Sequence, residues 1–394
     1  MAATLSLTEI TPILKELYVD GVDEELIYKK HPLLGMLKHT HNFGGKYQHV
    51  TVRHGKASGR SHTFATAQAN AYTSQYAEFD VTRVDDYGVA KITGESVDLA
   101  KTGEASIMID DLQAEIDGVL STLGDNAAKE AYRSNSGSRG QVGSGTASPI
   151  GLSNPEDVYF WEQGDVMTAN DSDDATTPRT GTGVITAIDE DTGSITYTGI
   201  ITALAVGDYL FKQGDEAVAQ AGLAAWVPAA APSATLFFGV NRSLSPTRLG
   251  GIRFNGTSFG FEEVFIRANA RLARSNATPD YYFLNPTDMA NFQAAVAGQK
   301  VGVESRSYNM GFDAVSAYGT KLISDPDCPR GIAWALDMDH FWWSTLGDAP
   351  RIVNEDGLEL LRAAAADAYE LRVLYRGNFI CDAPGLIARI SLPT

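Results

Sequence analysis

The longest regular pattern in the chain runs from Ala105 to Tyr132, where Leu112, Ile116, Val119, Leu120, Leu123, Ala127 and Ala131 recur at steps of three and four. That spacing gathers them on one stripe about 100° wide and predicts a single amphipathic helix, roughly 40 Å long at about 1.5 Å per residue. Asp110, Asp111, Glu115, Asp117, Asp125 and Glu130 occupy the rest of its surface, so the helix is acidic.

Upstream the pattern is weaker. Residues 1–40 hold short helical pieces around Leu14, Leu17 and Val19, and His31-Pro32 interrupts them because the residue before a proline disfavours helix. An extended arm with little core of its own is expected there. Lys46 to His54 alternates apolar and polar positions, as does Glu78 to Ile92 through Phe79, Val81, Tyr87, Val89 and Lys91. Between them, Gly55 to Gln75 is mostly Ala, Ser, Thr, Asn, Gln and Gly, with little to bury. Two long strands joined by a polar excursion predict a projecting hairpin, which is marginal alone and so rests on a neighbour.

Downstream, Ser134 to Ser148 is rich in Gly and Ser and Asn154-Pro155 is a further break, which together read as a flexible connector. Val158 to Asp215 carries short β patterns. Val184 to Ile188 and Ser194 to Tyr197 flank the turn Asp189-Glu190-Asp191-Thr192-Gly193, and Gly164-Asp165, Gly207-Asp208 and Gly214-Asp215 mark corners. This spacing predicts a small inserted β-barrel or sandwich. After Pro228-Ala229-Ala230-Ala231-Pro232 the chain turns mixed α/β. Phe261, Val264, Phe265, Ala268 and Leu272 form a helical stripe, Tyr281 to Leu284 a buried strand, and Asn285-Pro286 a cap that opens a helix through Val296. Gly319 to Ile323, Gly331 to Asp337, Tyr369 to Tyr375, Asn378 to Cys381 and Leu386 to Leu392 read as further strands.

Charge sharpens this picture. The 394 residues carry a formal net charge of -18, yet Leu26 to Ala77 contains no Asp or Glu. The same stretch holds Lys29, Lys30, Lys38, Lys46, Arg53, Lys56 and Arg60 and six of the seven histidines. Such segregation predicts that arm and hairpin lie on an acidic surface. With 44% hydrophobic and 20% charged residues, the chain can bury a substantial core in two or three units. The acidic balance argues against a general nucleic-acid binder, which needs clustered Lys and Arg. No run approaches about 18 apolar residues and Met1 to Leu17 lacks signal-peptide order, so no membrane is expected as a partner. Cys328 and Cys381 are too few for a disulfide framework and read as buried thiols of a reducing compartment, one disulfide being the alternative.

Candidate chemistry is sparse. His39-x-His41 with His49, His54 and His62 invites zinc, but structural zinc sites bring cysteine or closely paired ligands on a fixed scaffold, and polar contact with an acidic neighbour suits an arm better. Asp189 to Gly193 and Asp171-Ser172-Asp173-Asp174 are loops of the calcium type without the twelve-residue spacing that ends in Glu. Gly137 to Gly145 lacks the Gly-Lys-Ser/Thr ending of a phosphate loop, and no Gly-x-Ser-x-Gly elbow is present. His340 beside Asp337 and Asp339 could be drawn as a catalytic cluster, but it adjoins Phe341-Trp342-Trp343, which reads as packing or a subunit contact. No catalytic residue, cofactor or metal is assigned.

The order of basic arm, projecting hairpin, long acidic helix, inserted β unit, α/β region with Tyr281-Tyr282-Phe283-Leu284-Asn285-Pro286, and closing strands resembles the major capsid proteins of tailed double-stranded DNA phages. The resemblance covers nearly the whole chain and implies an α+β fold of the Hong Kong 97 type with an inserted all-β domain. On it, 1–40 is the N-terminal arm, 41–92 the extended loop, 93–157 the peripheral domain with its spine helix and 158–217 the inserted domain. The axial domain is 218–350, and 351–394 supplies closing strands to both. The implied function is self-assembly, through hexamers and pentamers, into an icosahedral virion shell that encloses double-stranded DNA without sequence-specific binding. Assembly is expected in the host cytoplasm, with a portal, possible cement proteins and, because the arm begins almost at Met1, a separate scaffolding protein. Lys46, Arg53, Lys56 and Arg60 of the loop would face Glu95, Asp98, Asp110, Asp111 and Glu115 of an adjacent subunit. Some family members cross-link a loop lysine to a neighbour's asparagine, a role Lys46 or Lys56 could fill. An encapsulin-like compartment shares the fold, and a carbohydrate-active hydrolase with Asp or Glu pairs in the β region is the reading from another class.

Overall fold

The computed structural model describes residues 31–94, 105–297, 304–307, 313–317, 320–353, 360–362 and 367–393. The helix predicted from Ala105 to Tyr132 has those bounds. Ile116, Leu120, Leu123, Ala127 and Ala131 of its stripe are buried, and Tyr132 closes it inside the core. It lies on the strand Val84–Thr93, where Gly88 allows the approach: a Cβ there would stand 2.4 Å from Val119 Cγ1.

That strand is one edge partner of the fourteen-residue strand Ala368–Cys381. Along the other edge run Leu360–Arg362, Arg351–Ile352 and Phe341–Thr345, and Lys38–Thr40 of the arm adds parallel to Phe341–Thr345. Two expectations are corrected here. Tyr369 to Tyr375 and Asn378 to Cys381 are one strand, because Gly377 admits the neighbouring backbone and makes no turn; a Cβ there would meet the Ser344 carbonyl at 2.6 Å. Phe341–Thr345, placed with the axial unit by its position before residue 350, belongs to this sheet under the long helix. Its aromatic run says "buried strand" without saying in which sheet.

Tyr47–Gly55 and Gln75–Thr82 form the hairpin, in register from Tyr47 opposite Thr82 to Arg53 opposite Tyr76, with a one-residue shift before Gly55 meets Gln75. The second strand does not run unbroken to Ile92. At Arg83 the chain leaves the hairpin for the sheet, and the guanidinium there donates to the Phe43 carbonyl and covers the Phe43 ring. Val50, Val52, Phe79 and Val81 bury the hairpin's base, and Phe79 meets Trp226 edge-on at 5.3 Å. The polar excursion contains a short helix, Phe64–Ala69, with no buried residue.

The inserted unit is a closed barrel of Ser138–Ser144, Ile150–Leu152, Ser194–Thr202, Thr180–Asp189, Val166–Asn170 and Tyr209–Lys212, each paired to the next and the last to the first. The Gly/Ser segment expected as a flexible connector is therefore a barrel strand, and the unit draws on residues before 158. Small residues are needed there for contact: a Cβ on Gly143 would lie 2.6 Å from the Ser153 nitrogen. The hairpin around Asp189–Gly193 is as the pattern predicts. Val142, Ile150, Met167, Ile185, Ile195 and Leu210 fill the barrel.

A seven-stranded sheet forms the remaining layer, in the order Ile252–Asn255, Ala388–Ser391, Ile332–Leu336, Tyr281–Leu284, Thr320–Ser324, Asp313–Ala317, Glu304–Ser307. The helix Phe261–Arg274 buries Val264, Phe265, Ala268 and Leu272 against it, and Asn285 Oδ1 accepts from the Thr287 amide to open the helix Pro286–Ala297. Among the described residues no helix is long and apolar enough to cross a membrane.

Candidate assembly surface

The hairpin is the element with the most unspent surface. Lys46, Arg53, Lys56 and Arg60 are all exposed, and among the described residues none pairs with a carboxylate of its own chain. Lys46 Nζ lies 5.0 Å from the Tyr47 ring centroid. Beside these cations, Phe64 is 84% exposed on the tip helix, Tyr76 60% and Tyr72 55%. Large apolar side chains this open cost solvation until something covers them. Of the acids expected as counterparts, Glu95 and Asp98 lie outside the described residues. Asp110, Asp111 and Glu115 fall in the first half of the long helix, where only the backbone course is described.

The first acids after the acid-free run are already engaged. His49 Nδ1 lies 2.7 Å from Asp80 Oδ1 and 3.3 Å from Glu78 Oε1, across the strand pair. These three side chains each bring one ligand atom within 4.8 Å of the others, the metal-type grouping found among the described residues, on an open strand face. It is not the histidine set the sequence suggested. His39 instead stacks on Trp343 at 4.7 Å, and burial, with His41 adding, pulls its pKa down to about 4. The Thr345 hydroxyl donates to the Gly347 carbonyl, so it accepts from His39 Nε2–H, 2.7 Å away. His41 donates to the same carbonyl.

The root of the arm is fixed by groups that sequence reasoning passed over. His31 is 5% exposed, with Nε2 at 2.8 Å from Asp125 and Nδ1 at 2.5 Å from Asp327. Carboxylates only accept, so both ring nitrogens donate and the imidazole is a cation. Burial opposes that charge, but the two carboxylates prevail and raise the pKa to about 9. Beneath it, Asp325 is fully buried and accepts from the Leu33 amide and the Tyr132 hydroxyl. The signal for this anchor was His31-Pro32-Leu33-Leu34 itself: Leu33 and Leu34 are buried in the main core.

The remaining sequence candidates are structural. Asp189 accepts from the Asp191 and Thr192 amides of its own turn, and Asp173 from the hydroxyls of Ser134, Ser136 and Ser138. His340 binds Asp382 at 2.8 Å over a buried Phe341. Cys328 and Cys381 are free, buried thiols.

No protein-family model matches the chain, and no curated protein matches it in sequence. Solved structures do match. A chain of the cyanophage A-1(L) capsid asymmetric unit aligns over 93% of both chains at TM-score 0.53 and 12% identity. The SrpI encapsulin complex of Synechococcus elongatus PCC 7942 aligns over 96% of this chain and 94% of its own, at 0.46 and 10%. A Mycobacterium phage Bobi chain aligns over 100% of both, at 0.43 and 11%. At these identities the likeness is one of fold: the chain has the α+β, Hong Kong 97-type capsid fold.

Proposed function

We propose that the protein is a major capsid protein whose copies assemble into an icosahedral phage-type shell around double-stranded DNA. The observation that carries this reading is the hairpin: four cations without a carboxylate partner among the described residues beside three exposed aromatic rings, on a chain of net charge -18. Such a surface is complementary to an acidic one, and a second copy of the chain supplies that along its long helix, with Asp110, Asp111 and Glu115 and the preceding Glu95 and Asp98. Exposed ion pairs contribute only about 0 to 1 kcal/mol each, so stability comes from repetition and from covering Phe64, Tyr72 and Tyr76. The capsid-type fold across nearly the whole chain supports the reading. An acidic subunit also suits a shell that holds DNA without binding it tightly. The shell is placed in the virion, assembled in the host cytoplasm with a separate scaffolding protein and a portal.

Electron microscopy and size-exclusion chromatography of the protein, expressed alone and with any adjacent scaffold gene, test this. Closed shells tens of nanometres across are expected, with nuclease-resistant double-stranded DNA in particles purified from infected cells. A discrete small oligomer under all conditions would overturn it, and shells containing protein cargo without DNA would move the assignment to a compartment.

A further inference from the structure

Between the barrel, the C-terminal end of the long helix and the seven-stranded sheet lies a cavity of about 390 Å³, within the size range of small-molecule sites. Arg242 and Arg389 both line it. In the sheet, Arg389 stands opposite Trp334 on one side and Arg253 on the other, and its guanidinium lies 5.7 Å from the Trp334 ring centroid. Neither Arg242 nor Arg389 pairs with a carboxylate among the described residues. Arg242 is 9% exposed and Nη1 donates to the Ala225 and Trp226 carbonyls, but its Nε–H has no acceptor. Trp334, which also lines the cavity, is fully buried, and its indole N–H has no acceptor either.

These are costly arrangements. Burial, with Arg253 adding, pulls the Arg242 guanidinium down to about 10, and burial lowers Arg389 as well. Buried charge is retained where something compensates it. For Arg242 the Phe237 ring, its centroid 4.0 Å from the guanidinium, and two backbone carbonyls compensate in part; the other charged lining groups do not. Arg133 is taken by Asp157 at 2.6 Å, and Asp173, the one carboxylate of the lining, sits among the hydroxyls of Ser134, Ser136 and Ser138. The rest is largely apolar or aromatic, including Tyr209, Phe237 and Ile332.

We propose that this cavity binds an organic carboxylate with an apolar body, the carboxylate held by Arg389 and the body packed against Ile332 and the apolar lining beside it. Guanidinium forks match carboxylate geometry, and charge-assisted hydrogen bonds are stronger than neutral ones. The site stands on its own residues and does not depend on the shell reading.

Calorimetric titration of the full-length protein with N-acetylphenylalaninate, N-acetylphenylalaninamide and inorganic phosphate decides it. The acid is expected to bind about tenfold or more tightly than the amide and than phosphate. Arg389→Gln should weaken the acid about tenfold with the circular dichroism spectrum unchanged, and Asp173→Asn, which removes the opposing charge, should tighten it. Equal binding of acid and amide, no heat from the acid, phosphate binding as tightly as the acid, or unchanged affinity in Arg389→Gln would each overturn the proposal. Should Arg389→Gln not fold, Asp173→Asn decides alone, and unchanged or weaker binding counts against the site.

Discussion

His31 Nε2 donates to Asp125 Oδ1 across 2.8 Å, tying the root of the N-terminal arm to the long helix. The other ring nitrogen holds Asp327, and Lys129 of the helix and Asp325, just past the strand Thr320–Ser324, complete the charged surroundings. The linkage has a definite sign. A histidine whose folded pKa, about 9, lies above the ordinary 6.5 contributes stability that is complete below pH 6.5 and is lost as pH rises through 9. Asp325 acts in the same direction at lower pH: burial, then Asp327, raise it to about 7, so folding is disfavoured as its carboxyl ionises between 3.8 and 7. The melting temperature should fall from pH 7 to pH 9.5, with about 3 kcal/mol of stability at stake. In His31→Gln that slope should flatten; an unchanged slope would show that the arm is held by Leu33 and Leu34 alone.

The hairpin prediction separates folding from assembly. Arg53 and Arg60 are exposed and have no carboxylate partner among the described residues, so Arg53→Glu with Arg60→Glu should shift monomer stability by no more than about 0.5 kcal/mol. Phe64→Ala at an 84% exposed position should be equally silent. Shell yield should fall sharply in both. Normal particles from the double reversal would sink the charge-contact idea while leaving the fold assignment intact.

Tyr132 and Asp325 give a test of the core beneath the arm. Their hydroxyl–carboxylate bond of 2.7 Å is wholly buried. Tyr132→Phe keeps the ring but leaves the carboxyl with one donor fewer, and should cost about 1–3 kcal/mol in denaturant unfolding, with little change in the far-ultraviolet spectrum.

How much of this was legible in the sequence depended on whether a residue's role was local. The helix from Ala105 to Tyr132 was readable because its stripe from Leu112 to Ala131 repeats over about five turns, and Asn285-Pro286 announced its helix by cap chemistry. Glycine misled where its purpose was tertiary. Gly143 admits the next barrel strand and Gly377 the neighbouring sheet strand, yet in sequence both look like breaks. The hairpin cations were visible as a run without acids. Arg242 and Arg389 were not, since 147 positions separate them and only the tertiary fold brings a short helical turn and a sheet strand to one cavity. His31 was visible only as a helix interrupter. Its two carboxylates come from positions 125 and 327, and no spacing rule links those three.

Gly222 shows the same tertiary logic in its most testable form. Its backbone torsions are ordinary, φ -75° and ψ -166°, so any residue could adopt them. The restriction comes from the long helix: a Cβ at this position would lie 1.9 Å from the Glu130 carbonyl oxygen and 2.6 Å from that of Ala131. Both are backbone atoms, and the helix end that carries them is locked by Glu130, which accepts from the Gln220 amide and side chain, and by the fully buried Tyr132. Neither side can retreat cheaply, because the segment after Gly222 buries Leu223 and Trp226 in the same core. Gly222→Ala should therefore destabilise by about 2–3 kcal/mol through overpacking, in the same direction as the preference of an N-cap position for glycine over alanine. A chemical-denaturation midpoint equal to that of the parent protein would mean that the helix end and this segment do not pack as closely as these distances require.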